Sequence, residues 1–101
     1  MAEKEREFGA ESEEVGQALY ELAKAVDDLN DGAKTRDLLE RALPIYEREY
    51  GSDSTEVAVV LNNLGNAYRG LGDYAKQRDV LERALPIHER EQDRELSLIH
   101  I

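Results

Sequence analysis

Residues 57–91 read VAVVLNNLGNAYRGLGDYAKQRDVLERALPIHERE, and residues 15–49 read VGQALYELAKAVDDLNDGAKTRDLLERALPIYERE. The block LERALPI stands at 39–45 and again at 81–87, so the chain superimposes on itself when shifted by 42 residues. Comparing 15–56 with 57–98 gives 20 identities in 42 positions. The same register runs further back, since EREFGAESEEV at 5–15 matches EREYGSDSTEV at 47–57 in seven places of eleven. The periodic region is therefore 5–91, made of the tail of a preceding unit at 5–14, a first unit at 15–56 and a second at 57–91. Repeats of this length mark units that bury an apolar face only against their neighbours.

Each unit reads as two helices. In the second unit Val57, Val60, Leu61, Leu64, Gly65, Tyr68 and Leu71 recur at helical spacing and form one stripe, matched in the first by Val15, Ala18, Leu19, Leu22, Ala23, Val26 and Leu29. The second helices carry Leu38, Leu39, Ala42, Leu43 and Tyr46, and correspondingly Val80, Leu81, Ala84, Leu85 and His88. Gly72-Asp73 offers a left-handed stop and then a capping oxygen, as Asn30-Asp31-Gly32 does one unit earlier. Asp53 and Glu56 have capping-box spacing, which makes Gly51-Ser52-Asp53 the expected link between units. Pro44 and Pro86 lie inside the second helices, where a kink is expected, with the helices ending near Tyr50 and Arg90. Asp37 with Arg41 and Asp79 with Arg83 read as ion pairs four residues apart on a solvated face. The fold class that follows is all-α, an α-solenoid of antiparallel helix pairs with about two repeats.

The string L-x2-L-G-x2-Y at Leu61, Leu64, Gly65 and Tyr68 resembles the signature of the tetratricopeptide repeat. Gly65 and Ala84 are small residues at which helices can approach closely, with Leu81 between them; Ala23, Ala42 and Leu39 hold those places in the first unit. The match has departures. Leu61 stands for the usual Trp, Gln77 and Thr35 stand for the Ala of the second helix, and Val26 replaces the Tyr. The long period and the phrase YGSDSTEVAVVLNNLGNAYRGLGDY are similar to the long repeats of kinesin light chains.

That resemblance implies a right-handed superhelix whose first helices line a concave groove for an extended or helical peptide. Carried over position by position, the groove residues are Gln17, Tyr20, Glu21, Lys24, Asp27 and Asp28 in one unit and Val59, Asn62, Asn63, Asn66 and Arg69 in the next. The three asparagines each offer a donor and an acceptor, a pattern suited to holding a peptide backbone, although Asn at such places also bonds to neighbouring helices. Tyr20 and Lys24 stand where carboxylate-gripping members of the family carry Lys and Asn, so a receptor for chaperone tails is not expected.

The balance of 13 basic against 23 acidic residues gives a formal charge of −10, which argues against nucleic acid and against an anionic membrane. Residues 1–14 hold two basic and six acidic side chains, 15–56 five and ten, and 57–101 six and seven, so the acidity belongs to the first half. Protein or peptide partners are expected; Glu21, Asp27 and Asp28 either favour a basic peptide by charge or form a solvated face. There is no cysteine, His88 and His100 stand apart, and His88 occupies the place of Tyr46 in a packing role. No metal, no cofactor and no enzymatic activity are expected, because no carboxylate pair or glycine-rich loop has the spacing that such chemistry needs. No apolar run is long enough to span a bilayer, and the expected setting is cytoplasmic. After Glu91 the register fails, and 92–101 reads as an irregular tail. Its LSLIHI either caps the end or, resembling a translated sequencing adapter, marks a longer natural protein. Two further readings stand beside the peptide groove: self-association through the open repeat ends, and a regulatory fragment of a larger enzyme or signalling protein.

Overall fold

The computed structural model describes residues 12–99, and side chains for 12–91. Four helices follow one another: α1 (Glu13–Asp28), α2 (Gly32–Tyr50), α3 (Thr55–Gly70) and α4 (Tyr74–Ile99). Each packs on the next, giving two helix pairs in series. No strand occurs among the described residues.

The starts and turns follow from side-chain chemistry at the 42-residue register. Ser12 Oγ accepts from the Val15 amide at 3.4 Å, and Ser54 Oγ accepts from the Val57 amide at 3.2 Å. The cap of α3 is thus Ser54 and not Asp53, and each unit begins two residues earlier than its apolar stripe. Both residue types cap helices well, so the choice fell to which one places its oxygen over the third amide of the helix. Between the helices of a pair, Asn30 and Gly72 take positive φ values of 61° and 78°, and Asp31 and Asp73 then accept from the Lys34 and Lys76 amides.

Pro44 and Pro86 sit inside helices that continue past them. α4 runs to Ile99, where the sequence led us to expect an end near Arg90 and an irregular tail. Gln92-Asp93 replace Tyr50-Gly51, and with the Gly51 stop (φ 92°) gone, a stretch rich in helix formers continues the helix. Residues 5–11 of the expected preceding unit, and the end of LSLIHI, lie outside the described residues.

The core centres on α3. Val57, Val60, Leu61 and Leu64 are fully buried, and with Ala58 and Tyr68 they pack on Ala23, Leu39, Tyr46, Ala84 and Ile87. A second cluster joins Val15 and Leu19 to Ala42 and Ile45. Ile45 and Ile87 were absent from the expected stripes; each points inward beside the proline that precedes it. Gly16 marks the closest crossing, since a Cβ there would stand 2.6 Å from Ile45 Cγ2. Gly65 is a second close approach, with Leu81 Cδ2 3.1 Å from the place of its missing Cβ.

The expected second stripe of α4 is only partly buried. Leu81, Leu85 and His88 are exposed, while their counterparts Leu39 and Tyr46 are covered by α3. Among the described residues no further helix follows α4 to do the same. Arg83, expected to pair with Asp79, reaches across to Glu47 on α2 at 2.6 Å, and Asp79 meets Arg78 at 3.3 Å; Asp37 meets Arg36 at 3.0 Å.

Candidate interaction groove

α1 and α3 are the first helices of the two units, and a hydrogen bond ties them directly. Asn63 Nδ2 donates to the Tyr20 hydroxyl at 3.1 Å and to the Val59 carbonyl at 3.0 Å. Tyr20 is half-buried, its ring tilted against Tyr46 with centroids 6.1 Å apart. Lys24 Nζ lies 5.5 Å from the centroid of the same ring, a cation–π distance. Beyond Tyr46, Tyr50 packs edge-on at 5.4 Å and donates to Glu13 Oε1 at 2.6 Å, while Gln17 Nε2 donates to the Tyr50 hydroxyl at 3.1 Å. Three tyrosines thus brace one side of the α1–α2 pair.

Burial pushes the Tyr46 phenol up to about 12, and the hydrogen bond to Glu13 raises Tyr50. Tyr68 is raised by burial first and then by donating to Glu40 Oε2 at 2.6 Å. At neutral pH these phenols stay protonated and act as donors and packing surfaces.

The expected groove residues divide among three recesses. Lys24, Asp27 and Asn63 line a small cavity of about 20 Å³ floored by Ala23, Thr35 and Leu39. Asp27 also lines a larger groove of about 370 Å³ with Asn66, Asn30, Gly32 and Leu71. Asn62 faces the other way: its Nδ2 bonds to His88 Nε2 at 2.9 Å, and it borders a groove of about 560 Å³ along α4. Glu21, Asp28 and Arg69 are exposed on the first helices and line none of these recesses, and Val59 and Gln17 are exposed as well.

The three asparagines therefore do not act as one set. The amide hydrogens of Asn63 are held by Tyr20 and Val59, and Asn62 is turned toward α4. Neighbours on a helix are about 100° apart, which sends adjacent side chains to different partners. Asn63 keeps its carbonyl oxygen as an acceptor, and Asn66 is exposed, its amide engaged with no other described residue. His88, expected half-buried, is exposed and bonded to Asn62, and no further described helix packs over its end of α4.

Sequence reasoning missed Asn30, Gly32 and Leu71, which shape the larger groove from helix ends and turns. Their signal lay in the register: Asn30 and Leu71 sit at turn positions shared by both units. Among the described residues no group of three or more His, Asp or Glu could hold a metal ion, and no helix is long and apolar enough to cross a membrane.

A family model described as tetratricopeptide repeat matches residues 14–90. No curated protein matches the chain.

Proposed function

The chain belongs to the tetratricopeptide repeat family, a family of protein–protein interaction modules, and we propose that it holds a peptide segment of its partner along the α1–α3 face. The observation that carries this reading is the row of Lys24, Asp27, Asn63 and Asn66 along two adjoining recesses at that face. Asn66 offers a full amide, Asn63 an acceptor oxygen, and Asp27 a carboxylate that borders both recesses. Such a row suits main-chain amides, with a basic side chain of the ligand set against Asp27. Glu21 and Asp28 lie on the same helix, and their charge adds to the attraction for a basic segment. Tyr20, held by Asn63 and Tyr46, gives the face a fixed aromatic wall.

The experiment is selection of a displayed random-peptide library on the protein, followed by affinity measurement on the Asp27→Asn, Asn66→Ala double variant. Enrichment of basic peptides, and a loss of about tenfold or more in affinity with unchanged helicity, is the expected result; removing one charged and one amide contact accounts for that much. Peptides that bind the double variant as tightly as the parent would refute the placement.

A further inference from the structure

A second kind of recess lies away from the α1–α3 face: a groove of about 560 Å³ along α4, with Tyr74, Leu81, Leu85 and His88 on its walls. Its counterpart one unit earlier is filled. Leu39 of α2 is 1% exposed under α3, while Leu81, the same residue 42 positions on, is 41% exposed and Leu85 is 58% exposed. The other end of the molecule shows the complementary defect. Leu64 of α3 is 1% exposed, whereas its counterpart Leu22 on α1 is 39% exposed. Ala25 is exposed where Ala67 is buried, and Leu29 is 80% exposed. Ala18, Leu22, Ala25 and Leu29 fall on one stripe of α1. The α2–α3 contact inside the chain thus consists of two surfaces, and each is presented again, with no described helix packed over it, at one end of the helix series.

We propose that this protein stacks head to tail with a second copy of itself, the α1 stripe of one copy seating in the α4 groove of the next as α3 seats on α2. The template gives the pairing. Leu71 of α3 lies 3.5 Å from the place of a Cβ on Gly32, so in the stack Leu29 meets Tyr74, two apolar side chains that are both exposed in the single copy. The Tyr68–Glu40 hydrogen bond has no equivalent, because Val26 and Glu82 hold those places, and the contact between copies is weaker than the one within the chain. Because the two surfaces differ, the contact is heterologous and open-ended rather than a closed pair. The groove face is not covered by it, so stacking and peptide binding stand or fall separately.

The test uses the whole chain in sedimentation velocity from micromolar to millimolar concentration, with Leu22→Glu and Leu85→Glu as end-blocking variants. The parent should grow past the dimer as concentration rises. Each variant alone should be monomeric, and an equimolar mixture should form a single dimer, because one variant keeps an intact α4 groove and the other an intact α1 stripe. Should Leu22→Glu lose helicity, Leu29→Glu takes its place, that side chain standing in solvent. A parent that stays monomeric throughout, a plateau at the dimer, a Leu22→Glu variant that still self-associates, or a mixture that does not pair would each overturn the proposal.

Discussion

Leu39→Ala and Leu81→Ala remove the same atoms from the same place in the two units, and the structure separates their effects. Leu39 is closed over by α3, whereas Leu81 borders the open α4 groove and keeps 41% of its surface exposed. Three carbons leave in each case. At about 0.8 kcal/mol for each buried carbon, the transfer loss is about 2.4 kcal/mol at Leu39, and roughly six-tenths of that, about 1.4 kcal/mol, at Leu81. Leu39 adds a cavity penalty because its surroundings cannot collapse fully, which brings its cost to about 3 kcal/mol, within the range for enclosed leucines. Leu81 leaves only a wider groove that water already enters. The expected gap is therefore about 1.5 kcal/mol, a factor of roughly ten in the folding equilibrium. Urea unfolding followed by far-ultraviolet circular dichroism, at protein concentrations where the chain is monomeric, reads it directly, provided the slope against denaturant is unchanged. An unfolded Leu39→Ala beside a folded Leu81→Ala satisfies the same order. Equal losses, or a larger loss at Leu81, would refute the claim that α3 covers one leucine while the other lies open.

Three other outcomes follow from the same geometry. Gly16→Ala should destabilise by about 1–2 kcal/mol despite the better helix propensity of alanine, because its Cβ meets Ile45, whereas Gly70→Ala, with nothing within 4 Å, should be neutral or stabilising by up to about 1 kcal/mol; thermal unfolding of the pair checks this. Ser54→Ala should cost about 1 kcal/mol as the cap of α3, and Asp53→Ala only a few tenths, in the same denaturant assay. Tyr46 holds its proton more tightly folded than unfolded, so its contribution is fully present below about pH 10 and is lost as pH rises toward about 12; stability against pH should fall over that window, with a shallower fall in Tyr46→Phe.

The helices were legible because their apolar spacing repeats, and the turns because Asn30 and Gly72 each precede an aspartate that caps the next helix. What stayed hidden depends on three-dimensional choices among equivalent residue types. Asp53 and Ser54 are both good caps, and only the geometry of the first turn selects the serine, although Ser12 at the same register position carried the hint. Asn62 and Asn63 are adjacent in sequence yet face His88 and Tyr20, a split set by the helical rotation and not by residue type. The stripe along α4 reads the same as that along α2, but burial depends on what packs over it, and a sequence period carries no record of a missing neighbour. Gly16 passed without notice because a crossing point is a property of two helices together.

The proposed seat of a partner's peptide runs along α1 and α3, over Lys24, Asp27, Asn63 and Asn66. Titration of the labelled protein with a selected basic peptide, followed by amide and side-chain amide chemical shifts, tests it most directly. The largest changes should fall on Lys24, Asp27 and the Asn63 and Asn66 side chains, with small ones at Arg48, Glu49 and Glu89. Changes centred on those last residues, with Asn63 and Asn66 unmoved, would contradict it.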